Sequence, residues 1–508
     1  MLVGGAVRVG LVLTSDFPLG DGGFFYQSVL DLQANAFVPP VLSSYNLEQL
    51  PYVFPPAAFY IVGGLQSVTN APLTAIFRWY PLVMSLLSIL VMYVFTTNIM
   101  RQRDEALLAT MIFAVLPLAV IPTISGGGVV RATATLCALA AVHYGNLLAT
   151  HARRTLIVPM GVFLALSLLT QFQWGLFALV SLFVLYFTQE RTSKAASLIV
   201  IAVLLGLVLA AAWVVYIDRY HTLAPLVNAL FNNIDGAPPL TPLFSRLRGF
   251  TSEPMLGLLA GLAGMGLFVC AVTKRWLMIV WMAVLLVFPV GLEPLVVPVS
   301  LLAAIGVHFL IGVGVSSFRT PSRMNPVTGE TVQASDDWPI VVSAIGVVVL
   351  IAYTVAGVVQ ARQVTELLSS LDRSQLRAMA WAKDNTPPES RFIVITGGTL
   401  GDEDIVTDWF PTLAGRTNIA TTRSSELLNG VDFENRVQNY QQLQACVGQR
   451  AVCIEDIVPS APIPTYVYLS PQVQGRLRAA LLQDATYDLV YPITRTRVNA
   501  TLIFQRLN

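Results

Sequence analysis

Charge is what this sequence has least of. Lys, Arg, Asp and Glu together make up 12% of 508 residues, and 55% are hydrophobic. Soluble domains carry roughly 25% charged residues. Such a chain is no cytosolic enzyme, and its long apolar runs read as membrane spans. A net charge of +1 excludes a broad field for a polyanion, and no nucleic-acid motif is present. Histidine and cysteine number four each, and no Cys/His grouping has zinc spacing. No internal repeat of the transporter kind is visible. Gly126–Gly128 lacks the Lys-Ser/Thr of a nucleotide-binding loop.

The apolar segments fall at 2–14, 76–98, 105–123, 130–149, 155–170, 173–188, 195–217, 254–273, 276–291, 294–314 and 338–360. They predict an all-α polytopic bundle of about eleven spans. The first is short and carries Arg8. It reads as a helix whose N-terminus is clipped, in preference to a secretory signal, because no small-residue cleavage site precedes Asp16. Basic residues follow the even-numbered spans, as at Arg101, Arg103, Arg153, Arg154, Lys274 and Arg275. By the positive-inside rule those loops and the N-terminus are cytoplasmic. The loop 15–75, the loop 218–253 and everything past 360 are then outside. Pro55–Ser67 is apolar but short, and reads as a helix lying in the outer interface.

Residues 1–360 therefore read as the membrane domain and 361–508 as an extracytoplasmic α/β domain. In the latter, Ser374–Asn385 reads as an amphipathic helix and Arg391–Thr396 as a strand ending at Gly397-Gly398. Helices are expected near 423–429, 432–447 and 471–483, and a closing hairpin at 487–492 and 498–506. Cys446 and Cys453 lie on the oxidising side, where a disulfide and two free thiols are both open.

The first outer loop carries the chemistry. Asp21 stands between Gly20 and Gly22-Gly23, followed by Phe24, Phe25 and Tyr26. Glycines let the backbone approach a ligand closely. The aromatic wall is expected to desolvate the carboxylate and raise its pKa, which suits a general base. The bland alternative is that Asp21 caps a helix starting near Gly22. Asp16 is the second candidate for the same role. Arg131, after three glycines at a helix start, is a candidate anion contact helped by the helix N-terminus, with an arginine snorkelling at a span end equally open. Arg246 and Arg248 are further cations of the outer side, and Glu293 a further acid.

The combination Asp21-Gly22-Gly23-Phe24-Phe25-Tyr26, Asp31-Leu32-Gln33-Ala34-Asn35, Tyr45-Asn46 and Phe54-Pro55-Pro56 resembles the first loop of the GT-C-type membrane glycosyltransferases. That group includes the protein O-mannosyltransferases and the aminoarabinose transferases, and the strongest resemblance is to uncharacterised bacterial members. Ala378–Thr386, Asp408-Trp409-Phe410-Pro411 and Gly415-Arg416 resemble their C-terminal elements. The resemblance implies a transferase that takes a sugar from a polyprenyl-phosphate carrier and passes it to a glycan, lipid or protein acceptor, with membrane lipid around it and no nucleic acid. It puts Asp21 in the role of general base and Tyr26, Tyr45 and Asn46 in the substrate site. The turn Ser125–Gly128 has no carboxylate where many relatives have one. A metal-independent mechanism is therefore preferred, with a divalent ion (Mg or Mn) left open. The competing class is a transporter or flippase, or a non-catalytic binder, of lipid-linked glycan.

Overall fold

The computed structural model describes residues 2–48, 50–188, 193–224, 254–288, 290–318, 369–398, 404–423, 425–427, 430–458, 463–473, 476–492 and 500–507. The expected span 338–360, the boundary at 360/361 and the pair Arg246 and Arg248 lie outside the described residues.

The helices in chain order are α1 (Leu2–Leu13), α2 (Gly23–Ala34), α3 (Ala57–Thr69), α4 (Leu73–Ile99), α5 (Arg103–Val115), α6 (Pro117–Ile124), α7 (Gly128–His151), α8 (Ile157–Leu168), α9 (Phe172–Thr188) and α10 (Ser193–His221). Pro254–Val272, Trp276–Val287 and Val296–Phe318 follow. Among the described residues, four helices are long and apolar enough to cross a membrane: α4, α7, α10 and the stretch Glu293–Gly312. The α5–α6 pair makes a fifth if counted as one broken span, bent by 51°. The break has a plain cause, since Pro117 supplies no N–H and disfavours helical geometry at Leu116. Six shorter apolar helices, α1, α3 and α9 among them, complete the set. The chain is a multi-pass membrane protein.

α7 is the centre of the bundle, packed against α4, α8 and α9. Its Ala-rich sequence allows this, because small residues let apolar helices close on one another. At Gly145 a Cβ would stand 2.1 Å from the Leu182 side chain. At the foot of α5, Arg275 grips the buried Glu105 through both Nη atoms, at 2.8 and 2.9 Å. A basic residue expected in a cytoplasmic loop is thus turned inward onto a carboxylate.

The C-terminal part holds a five-stranded mixed sheet in the order β4-β3-β5-β7-β6. The strands are β3 (Arg391–Ile395), β4 (Thr417–Asn418), β5 (Thr465–Leu469), β6 (Tyr487–Tyr491) and β7 (Leu502–Arg506), and a small ribbon, β1 (Leu42–Ser43) with β2 (Leu50–Pro51), lies in the first loop. β3 is parallel to β4 and β5, and β7 is antiparallel to β5 and β6. Side chains alternate strictly between the faces. Phe392, Val394, Tyr466, Tyr468 and Ile503 face a core that also contains Phe24, Phe25, Phe59 and Phe77 from α2, α3 and α4. Ile393, Ile395, Val467, Leu469 and Phe504 face a second core under the helices Gly430–Ala445 and Arg476–Gln483. The sheet is therefore fused through aromatics to the end of the bundle that carries the first loop.

The expected amphipathic helix is Arg373–Asn385, opened by a capping box of Asp372 and Gln375. The expected hairpin is β6 with β7. Strand β5 and the helix Ile405–Ala414 were not expected. β5 is buried at every position, so it lacks the alternation that marks a strand. The helix contains Pro411, which reads as a breaker. Cys446 and Cys453 form a disulfide, with Cα atoms 5.7 Å apart.

Candidate active site

The site is built where the first loop meets the turn between α6 and α7. The backbone N–H of Gly126 donates to Leu19 O at 2.6 Å, and that of Gly127 to Asp21 O at 2.7 Å. A Cβ at Gly126 would lie 2.5 Å from Asp21 O, so only glycine permits the two chains to lie together. From the sheet side, Trp409 donates its indole N–H to Gly20 O at 3.0 Å.

Asp21 does not cap α2; Asp408 does. Its carboxylate accepts the N–H groups of Gly22 at 2.7 Å, Gly23 at 2.8 Å and Phe24 at 3.3 Å. Three otherwise orphaned donors of a helix start are thereby met by a side chain from the C-terminal region. Burial pushes the Asp408 carboxyl up, while Arg423 and the N–H groups of Gly22 and Gly23 act the other way.

This leaves the Asp21 carboxylate free to face cations. Arg131 holds it with both Nη atoms, at 2.9 and 2.7 Å. Arg423 adds Nη2 at 2.8 Å, its guanidinium seated 5.2 Å from the centre of the Phe25 ring. Burial pushes the Asp21 carboxyl up, but the Arg131 and Arg423 guanidiniums outweigh it and hold it well below the usual carboxylate range. The expected raised pKa is thus overturned: the aromatic wall is present, yet two charges in contact dominate it. Beyond Arg131 stands Glu293, its Oε1 3.9 Å from Arg131 Nε. The structure therefore brings Asp21, Arg131 and Glu293 together. Nothing in the spacing singles out Arg423, an arginine in a polar stretch without a motif.

Other expected residues are employed differently. Asp16 is exposed and pairs with the equally exposed Arg373 at 3.2 Å, apart from the Asp21 cluster. Tyr45 and Asn46 are buried and spent on joining the loop to the sheet. Tyr45 donates to Asp408 O at 2.9 Å. Asn46 exchanges bonds with the Asn418 backbone at 3.1 and 2.7 Å. The polar atoms of both residues expected as substrate contacts thus have protein partners. Tyr26 is half-buried, edge-on to Trp409 with ring centres 5.6 Å apart. The first N–H groups of α7 are not open to an anion either. Those of Gly128, Val129 and Val130 bond to the carbonyls of Ser125, Gly126 and Gly127.

Solved structures share this architecture. AglB, an oligosaccharyltransferase from Archaeoglobus fulgidus in complex with an inhibitory peptide and a dolichol-phosphate, superposes with a TM-score of 0.54 at 13% identity, covering 98% of this chain and 73% of that one. ArnT from Cupriavidus metallidurans bound to undecaprenyl phosphate gives 0.52 at 13% identity, over 99% of this chain and 97% of that one. The fold is that of the GT-C glycosyltransferases. The arabinofuranosyltransferase AftD from Mycobacteria matches all of this chain with 41% of its own length, at 12% identity and a TM-score of 0.52. No protein-family model and no curated protein matches the sequence.

The GT-C likeness raises the question of a divalent ion, because the Archaeoglobus fulgidus oligosaccharyltransferase has been solved in complex with Zn and sulfate. The residues here do not fit one. Both Asp21 oxygens are occupied by guanidiniums, and Glu293 lies against Arg131. Among the described residues no three His, Cys, Asp or Glu side chains are grouped to hold a metal.

Proposed function

We propose that this chain is a membrane glycosyltransferase that moves a sugar from a polyprenyl-phosphate carrier to an acceptor on the outer face of the cytoplasmic membrane. The observation that carries the reading is the Asp21 carboxylate held by Arg131 and Arg423 at one end of the bundle, under the sheet. The pair of guanidiniums suits a lipid phosphate, and the carboxylate suits the proton of an acceptor hydroxyl. The carriers bound to AglB and ArnT, a dolichol-phosphate and undecaprenyl phosphate, support the donor class. The disulfide Cys446–Cys453 supports an oxidising, outer location for the sheet region.

The chemistry follows from the charges. The acceptor O–H gives its proton to the Asp21 carboxylate as its oxygen bonds to the sugar C1. The bond from C1 to the phosphate oxygen breaks, and the electron pair leaves with the carrier phosphate. Arg131 and Arg423 take up the negative charge that develops there. In the resting site the same arginines depress the Asp21 pKa, so Asp21 is a weak base until the phosphate draws them away. Carrier binding and base activation are then one event. An apolar groove of about 520 Å³ between α9, α10 and the helix Trp276–Val287, lined by Leu176, Phe183, Phe187, Ile199, Val203 and Phe288, suits a prenyl tail.

The test uses purified protein in nanodiscs with a panel of polyprenyl-phosphate sugars, following carrier release. Wild-type release that drops at least ~100-fold in Asp21→Asn fits the usual contribution of a general base. Release unchanged by the substitution moves the base elsewhere. Binding of every donor without release favours a transporter or binder.

A further inference from the structure

Arg8 is fully buried in α1, with no carboxylate paired to it among the described residues. Its Nη1 donates to Ser85 O at 2.6 Å and to Ser85 Oγ. Its Nε and Nη2 have no hydrogen-bond partner among the described residues, and its guanidinium lies 5.8 Å from the Phe113 ring centre. A charge desolvated with so few partners costs folding free energy. Arg8 is therefore poorly suited to a stabilising role, and an ionisable residue inside a bundle marks a functional one by default.

The bonds continue beyond Arg8. Ser85 Oγ lies 2.7 Å from Thr123 Oγ1. Thr123 Oγ1 also reaches Ala119 O at 2.8 Å and Val120 O at 2.9 Å, so Arg8, Ser85 and Thr123 form one connected chain of bonds. Such chains polarise and strengthen one another. Thr123 belongs to α6, the short helix after the break, and two residues later begins the turn that receives the first loop. A Cβ at Gly128 would meet Thr123 O at 2.8 Å and the Pro81 side chain of α4 at 3.0 Å. The turn is thus packed directly on the α4–α6 seam, which the Ser85–Thr123 bond closes and whose Ser85 is held by Arg8. From this turn the Gly126 and Gly127 N–H groups reach Leu19 and Asp21.

We propose that Arg8 is a positioning residue: through Ser85 and Thr123 it fixes α6 against α4, and so sets the Ser125–Gly128 turn that holds the backbone of Leu19 and Asp21. The guanidinium touches no candidate substrate group and acts only through this seam. The inference concerns the geometry of the turn and needs no assumption about the reaction.

Hydrogen exchange in nanodiscs tests it, read on peptides spanning Gly126–Gly127 and, as internal controls, the middle of α7 and strand β5. The variants are Arg8→Met, Arg8→Lys and Thr123→Val, the last removing the relay without touching the charge. Arg8→Met and Thr123→Val are each expected to speed exchange at Gly126–Gly127 at least ~10-fold while the controls hold. Arg8→Met should unfold no earlier than wild type, since it removes a buried cation, and Arg8→Lys should stay closer to wild type at the turn. Unchanged exchange at Gly126–Gly127 in the folded variants overturns the proposal. Faster exchange spread evenly over turn and controls also overturns it, because it means a general stabilising role. If Arg8→Met does not fold, Arg8→Gln takes its place and the same two outcomes overturn the proposal.

Discussion

Asp408 and Gly23 stand 385 residues apart in the chain, yet the Asp408 carboxylate accepts the Gly23 N–H at 2.8 Å. The contact is close enough that a Cβ on Gly23 would lie 2.3 Å from Asp408 O. One residue supplies the cap and the other the space for it. Together with Tyr45 and Asn46 they weld the first loop to the sheet region, and Asp21 is held in place as a consequence.

Asp408→Ala leaves three buried N–H groups without acceptors. It should destabilise by about 1–3 kcal/mol. Gly23→Ala forces the helix start off its cap and should cost a similar ~1–3 kcal/mol. Both act on one contact, so the double variant should lose clearly less than the sum. Thermal unfolding of the four proteins in nanodiscs checks this. Additive losses would mean that the two residues work independently.

The pH dependence of the Asp21 cluster has a definite sign. A carboxyl whose folded pKa is depressed contributes stability above its unfolded pKa and loses it as pH falls. The ordinary value is 3.8, and Asp21 lies well below it. The stability difference between wild type and Asp21→Asn should therefore be level from neutral pH down to about 5 and shrink below the ordinary value. A difference that already changes between pH 6 and 8 would mean that Asp21 is not held by both arginines.

Much of this was legible in the sequence, and the remainder was not, for physical reasons. The apolar helices announce themselves through hydropathy, and Asp21, Arg131 and Glu293 stood out as polar groups at expected outer ends. The sign of the Asp21 shift was not legible. It depends on Arg131 first and on Arg423 second, 110 and 402 residues away in the chain, and long-range charge pairing leaves no local pattern. Tyr45 and Asn46 carried a recognisable motif, but a motif does not distinguish a contact to substrate from a contact to another part of the chain. Asp408 lay in a stretch whose resemblance was noted, and only the geometry shows that it caps α2.

Carrier release should be indifferent to excess EDTA and to added Mg or Mn. The carboxylates that would hold an ion are already paired with guanidiniums. Inactivation by EDTA that Mn restores would show that Arg131 or Arg423 moves off Asp21 to admit a metal.

The disulfide makes a prediction about sidedness. In intact cells, Cys446 and Cys453 should resist a membrane-impermeant maleimide until an impermeant reductant is added, and then label. Cys446→Ser should cost at most about 2–3 kcal/mol, since the closed loop is short. Labelling without reductant would mean that the bridge does not form in the cell.

Arg423→Gln separates the two duties of the arginine pair. One guanidinium is lost from the phosphate clamp, so the donor KM should rise about 10-fold, the equivalent of about 1.4 kcal/mol. Arg131 keeps its two-pronged hold on Asp21, so the carboxyl should stay below 3.8 but closer to it than in wild type. The acid limb of kcat/KM reports groups of the free enzyme. It should therefore move to higher pH in Arg423→Gln if Asp21 is the base, while the limb of kcat, measured with the phosphate already bound, should move less. A pH profile of both constants for wild type and Arg423→Gln reads this directly. A raised KM with neither limb shifted would leave Arg423 as a phosphate contact and take the proton away from Asp21. Glu293, on the far side of Arg131, would then be the carboxylate to test.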